Sequence, residues 1–233
     1  MKYLHKTKII TLIVVFSAIL IIFIPFYSNA ENKLVFKSNA NNSMKIAITF
    51  DDGPHPKQTM RILDILKKYN VKATFFVIGI NAKNYPHVLN KVIEGGHEVG
   101  NHTFTHKVLK SIPESSIRNE LDSTRLMLDT LYSYDPVLLR PPCGLYDSSL
   151  INVAKDNGYK IILWTVDTHD WAHESVKSIV KNVLSNVSSG DIVLFHDYIS
   201  GVDNTPEALE ILIPRLIDLG YEFVTVSELL QAK

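Results

Sequence analysis

The sequence predicts an α/β fold whose parallel strands form a barrel or an open sheet. Short apolar runs typical of buried strands alternate with longer segments of helical periodicity along most of the chain. Polar side chains gather just past the ends of several of these runs, where barrels and open α/β sheets carry their sites. Glycines follow four helical segments and precede strands, as helix-ending glycines do: Gly95, Gly158, Gly190 and Gly220.

The predicted elements alternate regularly. From apolar runs such as Ile46–Phe50 and Ile192–Phe195, strands are expected near residues 45–50, 73–78, 97–100, 137–140, 159–165, 191–195 and 221–225. Helices are expected near 58–69, 85–94, 114–132, 147–157, 174–187 and 205–218. Because a helix separates each strand from the next, the strands should run parallel.

The first thirty residues are predicted to be a targeting segment. Three lysines precede an apolar stretch from Ile9 to Phe26, and Ser28-Asn29-Ala30 offers small residues at the cleavage positions. We expect a signal peptide cleaved after Ala30. The alternative is an uncleaved membrane anchor, since the stretch is near the length that spans a bilayer. Residues 31–43 are expected to be a short tether, and residues 44–233 a single folded domain that is secreted or held at the outer face of the membrane.

Length, charge and cysteine content fit one extracellular domain. A chain of 233 residues with 46% hydrophobic residues can bury a single sizeable core. Without the lysines of the targeting segment, 21 basic and 24 acidic residues remain, a net charge of −3. This balance argues against nucleic acid as a partner. The single cysteine excludes an internal disulfide, and we expect a monomer that meets the membrane only through the N-terminal segment, if it is retained.

Two adjacent carboxylates, Asp51 and Asp52, carry the first chemical signal. They end the apolar run Ile46–Phe50 and precede a Gly-Pro turn. Neighbouring acids repel each other, so a rigid strand end gains nothing from holding them unless a cation is present. One carboxylate can then ligate the metal while the other serves as a base. A solvated Asp-Asp turn is the alternative from this segment alone.

His102 and His106 supply the second signal. Four residues apart, they can present two imidazoles on one side of a helical turn or compact loop. With Asp52 they make a set of two histidines and one carboxylate, and three protein ligands are the mark of a catalytic rather than a structural metal site. Non-haem iron oxygenases use the same set, so the ligands alone do not decide the metal. Two unrelated surface histidines are the simpler alternative.

Three further polar segments follow predicted strands. Arg140-Pro141-Pro142-Cys143-Gly144 combines two prolines with amides, from Cys143 and Gly144, that are expected to stay free to point into a site. Asp167–Trp171 and Leu194–Asp197 occupy equivalent positions after later strands. Asp167 is expected either to partner Arg140 or to cap the strand end. His169 and His173 are expected either to line the groove or to be solvated.

The sequence resembles the polysaccharide deacetylases, the nodulation-protein-B-like domains of carbohydrate esterase family four. The resemblance covers roughly residues 44–230, with all five family motifs in order. The clearest stretches are Thr-Phe-Asp-Asp-Gly-Pro-His-Pro at 49–56, Ala-Thr-Phe-Phe-Val-Ile-Gly at 73–79 and Gly-His-Glu-Val-Gly-Asn-His-Thr at 96–103. It implies a single-domain distorted (β/α) barrel with about seven parallel strands.

The resemblance also implies a role for each motif residue. Asp51 would be the catalytic base, braced by Arg140, and His196 the general acid, oriented by Asp170. The metal ligands would be Asp52, His102 and His106, with zinc as the predicted ion and cobalt or manganese fitting the same set. The substrate would meet the Cys143 amide, which would hold the oxyanion, and the walls of the acetyl pocket, Trp171 and Leu194. Relatives often have an aromatic residue where this chain has Cys143, which puts substrate preference in doubt but not catalysis.

Three functions are compatible with these motifs. The main hypothesis is a metal-dependent deacetylase that removes N-acetyl groups from N-acetylglucosamine in a cell-surface polysaccharide, above all peptidoglycan. The alternatives with the same chemistry are an O-acetyl esterase acting on xylan and a chitin oligosaccharide deacetylase. A non-catalytic glycan-binding domain is a third class, and it predicts loss of at least one motif residue. All are present, so an enzyme is predicted.

Overall fold

A computed structural model describes residues 35–36 and 44–231 of the chain. These residues belong to one compact unit. The predicted signal peptide or anchor lies outside the described residues, as does most of the predicted tether. Among the helices that are described, none combines the length and the apolar character needed to cross a bilayer.

Nine strands in the described part of the chain form one curved sheet in which the recorded pairings are parallel. The order is β1-β6-β5-β4-β3-β2-β8-β7, with β9 pairing to β2 off this path. The strands are β1 (Val35–Phe36), β2 (Lys45–Asp51), β3 (Thr74–Val77), β4 (Glu98–Asn101), β5 (Leu138–Leu139), β6 (Lys160–Ile162), β7 (Val166–Asp167), β8 (Ile192–His196) and β9 (Glu222–Phe223). The sheet curls into a half-barrel, which confirms the predicted distorted (β/α) barrel.

Helices follow the strands as the sequence predicts, with two short additions. The α-helices are α1 (Gln58–Tyr69), α2 (Gly79–Asn84), α3 (Pro86–Glu94), α4 (Glu114–Tyr132), α5 (Ser148–Asp156), α6 (Val176–Asn186), α7 (Thr205–Asp218) and α8 (Val226–Gln231). Short 3-10 turns cover Pro142–Gly144 and Asp170–Ala172. Helices α2 and α8 were not predicted, because six residues are too few to show a helical period.

One predicted strand is wrong in its extent. Instead of continuing through 159–165, the chain forms β6 and β7 as separate strands near opposite edges of the sheet. Between them the backbone leaves the ladder, and the carbonyls of Ile162 and Leu163 accept hydrogen bonds from the Arg140 side chain. The Leu163 amide donates to Phe36 of β1, so two residues of the predicted tether belong to the sheet. An irregular segment thus bridges the two edges of the half-barrel.

Alternation along β2 separates the core from the site. Ile46, Ile48 and Phe50 point to the helices and join the larger apolar cluster, where Phe50 stacks on Phe75 with 4.9 Å between ring centroids. Thr49 and Asp51 point to the opposite, interior face, because successive side chains of a strand alternate. Burying a phenylalanine side chain stabilises the fold by about 1.5–3 kcal/mol. This register of β2 is therefore strongly preferred, and it directs Asp51 into the barrel.

Candidate active site

The parallel strands bring the motif residues to one edge of the half-barrel. Asp51 ends β2, His102 follows β4 and His196 ends β8. In the sheet, Asp51 lies in register with His196 on the neighbouring strand. A groove of about 320 Å³ opens at this edge, lined by Asp51, Asp52, His102, His106, Cys143, Trp164, Asp167, Trp171, Leu194 and His196.

Asp52, His102 and His106 converge as a triad. Asp52 Oδ1 lies 3.4 Å from His102 Nε2 and 3.2 Å from His106 Nε2, and one ligand atom from each residue lies within 4.8 Å of the others. Asp52 Oδ1 is buried yet has no hydrogen-bond partner among the described residues. A buried oxygen left without a partner is costly, and two imidazole nitrogens with one carboxylate oxygen suit a divalent ion such as zinc. The triad therefore fits the predicted metal.

The protein holds His102 in the form that a metal ligand requires. Its Nδ1 lies 2.7 Å from the Arg140 carbonyl oxygen, so Nδ1–H donates and Nε2 keeps its lone pair for the ion. Burial alone would lower the pKa of His102, but the carboxylates of Asp51 and Asp52 raise it overall. The same negative charge that favours a proton here favours a divalent cation.

A left-handed backbone at Asp52 brings both aspartates to the same site. In a regular strand, Asp51 and Asp52 would face opposite sides of the sheet. The strand ends at Asp51, and Asp52 has φ of 78°, a region that non-glycine residues rarely adopt. Thr103 and His106 also have positive φ, at 69° and 60°. Such strain concentrates at functional sites, where the surroundings must stabilise it.

Glu120 stabilises the strained loop that carries His106. This buried carboxylate on α4 accepts hydrogen bonds from the amides of Phe104 and Thr105, at 2.9 and 2.8 Å. It also accepts one from the Thr105 hydroxyl at 2.7 Å. Glu120 was not among the predicted site residues. Its signal was an acid on the apolar stripe of the helix, between Ile117 and Leu121, which are both buried.

Replacing Glu120 with alanine should weaken metal binding by about 10–100-fold, the usual effect of losing a group that orients a ligand. Two backbone amides and a hydroxyl would lose their acceptor, and the loop would no longer hold His106 against Asp52. Metal titration of the purified variant measures the change. Glu120→Gln, which keeps an oxygen for the amides, should retain most of the affinity, and the exposed Glu114→Ala on the same helix serves as control. A folded Glu120→Ala variant with wild-type metal affinity would contradict this role.

Arg140 and Asp51 form a buried ion pair inside the barrel. Arg140 is fully buried, and its Nη1 donates to Asp51 Oδ1 at 2.8 Å and to Thr49 Oγ1 at 2.7 Å. The guanidinium also packs over the ring of Phe76, 4.1 Å from its centroid. With Oδ1 held in this way, Asp51 Oδ2 faces the triad, 3.8 Å from His102 Nε2. Asp51 therefore has one anchored oxygen and one that is available beside the triad.

His196 is held by the carboxylate of Asp170. Its Nδ1 and its backbone amide each lie 2.8 Å from an oxygen of Asp170, and Thr205 Oγ1 donates to the same carboxylate. Burial would lower the pKa of His196, but the hydrogen bond and charge of Asp170 outweigh it and raise the pKa to about 9. The imidazole is therefore protonated at neutral pH, with Nδ1–H committed to Asp170 and Nε2–H available to the groove.

Cys143 borders the groove in a left-handed conformation, with φ of 58°. Its side chain is exposed and unpaired with any other cysteine. The prediction that the Gly144 amide also stays free is wrong, because that amide donates to the Pro141 carbonyl at 2.9 Å. This bond closes the tight turn that contains Cys143. Of these two amides, only that of Cys143 remains as a candidate donor to substrate.

Trp171 and Leu194 line the groove, together with two residues that had no predicted place in it. Trp164, inside the segment expected to be a strand, packs so closely on Gly144 that a Cβ there would lie 2.8 Å from its ring. Asp167 Oδ1 accepts hydrogen bonds from Trp171 Nε1 at 3.3 Å and from the His169 amide at 2.9 Å. Asp167 thus steadies the indole and caps the turn. The other predicted role, as a partner of Arg140, is not seen, because Arg140 donates to Asp51 and Thr49 instead.

Asp197 supports the loop that carries the two aspartates. It is buried, and its carboxylate accepts hydrogen bonds from the Gly53 amide at 2.9 Å and from Thr59 Oγ1 at 2.6 Å. Burial raises the pKa of this carboxyl to about 7. A Cβ on residue 53 would lie only 2.0 Å from an Asp197 oxygen, so this position requires glycine. Asp197 was predicted to lie in a site motif, but this supporting role was not predicted.

Comparison with known proteins adds independent observations. A family model for polysaccharide deacetylases matches residues 38–162. A peptidoglycan-N-acetylglucosamine deacetylase of Bacillus cereus is 41% identical over 195 residues, which are 83% of this chain and 91% of that protein. The crystal structure of a peptidoglycan N-acetylglucosamine deacetylase in complex with a benzamide ligand superposes with a TM-score of 0.83 at 36% identity, covering 89% of this chain and 97% of the other. A family 4 acetyl xylan esterase from Clostridium thermocellum, solved with a cobalt ion, gives 0.75 at 33% identity, covering 80% and 90%.

Proposed function

This chain belongs to the polysaccharide deacetylase family, a family of metal-dependent hydrolases, and on that premise we propose that it removes N-acetyl groups from N-acetylglucosamine units of peptidoglycan. One observation carries the proposal: a braced carboxylate, a metal triad with an unpartnered oxygen and a protonated histidine share one groove. These are the parts that hydrolysis of an amide needs. The proposed substrate, peptidoglycan, is that of the similar proteins described above, which are peptidoglycan N-acetylglucosamine deacetylases.

Each of these groups has a proposed role in the reaction. When bound, a divalent ion on Asp52, His102 and His106 would polarise the acetyl carbonyl and acidify water. Asp51 Oδ2 accepts a proton from the attacking water while Arg140 keeps its other oxygen in place. The Cys143 amide donates to the carbonyl oxygen as negative charge develops there. The products are acetate and a free amino sugar.

His196 completes the reaction as the general acid. Its Nε2–H protonates the nitrogen of the leaving sugar as the carbon–nitrogen bond breaks, and Asp170 stabilises the charged ring beforehand. An amine is a poor leaving group, so an amide depends on this proton more than an ester does. Trp171 and Leu194 leave a small apolar space for the acetyl methyl group.

Zinc is the proposed ion, because two imidazoles and one carboxylate are ligands that zinc accepts readily. Cobalt or manganese fits the same donors, and a cobalt ion accompanies the related xylan esterase structure. The proposed setting is outside the cell, where peptidoglycan lies, whether the N-terminal segment is cleaved or kept as an anchor. Every group in the proposed mechanism comes from one chain, which supports action as a monomer.

Acetate release from three glycans, measured side by side with metal-reconstituted protein, tests the proposal. Peptidoglycan should release acetate fastest. The likeness to an acetyl xylan esterase favours O-deacetylation of xylan as the second candidate, and chitin oligomers represent the third. Faster release from acetylated xylan would move the substrate to the second candidate, and no release from any of the three would refute the proposed activity.

Replacing His196 with alanine should reduce amide hydrolysis by about 10²–10⁴-fold, the usual contribution of general acid catalysis. An activated aryl acetate should lose far less, because its leaving group needs little protonation. The pH profile gives a second readout. Since the protonated ring is the active form, the wild-type rate should fall as pH rises through the pKa of His196, about 9, and the variant should lack this fall. Equal losses for the amide and the aryl ester would exclude His196 as the acid.

A further inference from the structure

Three aromatic rings lie at the catalytic edge of the sheet beside the groove. The His55 imidazole stacks on the Tyr198 ring, with 4.8 Å between centroids and 21° between planes. Tyr85 meets His55 edge-on at 6.2 Å and 72°. We call these three residues the aromatic platform. The described residues that line the groove include none of them, so the platform is a separate surface.

The platform lies within a few residues of the catalytic groups. His55 follows Asp52 by three positions, and Tyr198 follows His196 by two. Their parent strands, β2 and β8, are adjacent and parallel, with Asp51 in register with His196. Two residues of chain span at most about 7 Å and three about 11 Å. The backbone of His55 and Tyr198 therefore lies close enough to the groove for their rings to be within reach of the next unit of a polymeric substrate.

Hydrogen bonds hold the two loops of the platform together. The Gln58 side chain accepts from the Ile199 amide at 3.1 Å and donates to the Ile199 carbonyl at 2.8 Å. His55 Nδ1 accepts from the Gln58 amide at 3.3 Å. The segment after β2 is thus tied to the loop after β8 through Gln58, and the His55 ring is fixed against the same residue. A surface built in advance loses little conformational entropy when a ligand binds.

The chemistry of the platform suits a sugar. The Tyr198 side chain is 40% exposed although one face of its ring is covered by His55. Burial and the nearby Lys57 lower the pKa of His55 and so favour its neutral ring. Because Nδ1 accepts from the Gln58 amide, Nε2 carries the hydrogen. An aromatic ring with polar atoms at its rim matches a pyranose, which has a face of C–H groups and a rim of hydroxyls.

We propose that the aromatic platform binds a sugar ring of the glycan strand that neighbours the acetylated unit in the groove. This inference rests on the proposed glycan deacetylase function. Tyr198 covers the C–H face of the neighbouring ring, and His55 Nε2–H donates to one of its hydroxyls. The platform thereby makes the protein prefer oligomeric chains over single acetylated sugars.

Binding of an N-acetylglucosamine pentamer to the metal-free protein, measured by calorimetry, tests the platform without requiring turnover. Tyr198→Ala should weaken the affinity by about tenfold, the value of one good aromatic contact, whereas Tyr198→Phe keeps the ring and should bind nearly as well as wild type. Tyr221→Ala, directly before β9 and so at the amino ends of the parallel strands, is the matched control. A folded Tyr198→Ala variant that binds the pentamer as tightly as wild type would overturn the proposal.

Turnover separates failure of the platform from failure of the proposed function. The loss of kcat/KM in Tyr198→Ala should grow from the dimer to the pentamer, and an equal loss at both lengths would also overturn the platform. If the wild type releases no acetate from any glycan, the deacetylase proposal fails, and the pentamer affinities still decide whether the platform binds sugar.

Discussion

Replacing His106 with alanine should remove the metal ion and the activity together while the fold survives. His106 lies at the edge of the sheet and its side chain is 39% exposed, so its loss leaves the core intact. Without its Nε2, Asp52 and His102 alone would hold the ion, and we expect metal affinity to fall by at least about 100-fold, more than the loss of an orienting group costs. Metal content after dialysis and the rate on peptidoglycan measure the two effects.

The partner variant His102→Ala should show the same loss with an added cost in stability, because His102 is buried. The control is His87→Ala, an exposed histidine on α3, which should keep full metal content and rate. Stoichiometric zinc with full turnover in either ligand variant would show that the triad is not the metal site.

The two adjacent aspartates should respond differently to the same substitution. Asp51→Asn preserves the shape beside Arg140 but cannot accept a proton from water, so the rate should fall by about 10²–10⁴-fold with metal still bound. Asp52→Asn replaces a charged ligand with a neutral one, so metal affinity should fall first and activity as a consequence. Metal titration of both variants, followed by rates at saturating metal, separates the two roles.

Asp64→Asn provides the matched control, since Asp64 is exposed on α1 and should affect neither measurement. The assignment of base and ligand would be refuted if metal affinity fell equally in Asp51→Asn and Asp52→Asn. The structure gives the physical basis for the difference, because Asp51 Oδ1 is committed to Arg140 whereas Asp52 Oδ1 has no hydrogen-bond partner among the described residues.

Elements with a strong local pattern were predictable from the sequence. The apolar runs of β2 and β8 and the amphipathic stretch of α4 match their observed positions within a few residues, because each buries a continuous apolar face. The motif residues were also expected to meet, since the carboxyl ends of parallel strands share one edge. The groove brings the predicted residues Asp51, His102 and His196 together.

Features that depend on tertiary contacts were not predictable. Leu163–Thr165 has the composition of a strand, yet Arg140 donates a hydrogen bond to the Leu163 carbonyl and the chain crosses between the edges of the half-barrel. Glu120 acts through a loop that lies fifteen and sixteen residues away in sequence. The positive φ of Asp52, which lets two neighbouring carboxylates face one site, has no local signal either, because only the surroundings that stabilise such a backbone reveal it.

The most direct test of the central claim is the stoichiometry of the products from purified peptidoglycan. With the metal-loaded protein we expect one new primary amine for every acetate released and no new reducing ends, because the scissile bond joins the acetyl carbon to the sugar nitrogen. The same measurement with Asp51→Asn should show both products formed about 10²–10⁴-fold more slowly. Acetate without matching amines would mean that the protein is an O-deacetylase, and new reducing ends would mean that it cleaves the glycan strand. Either result would contradict the proposed N-deacetylation.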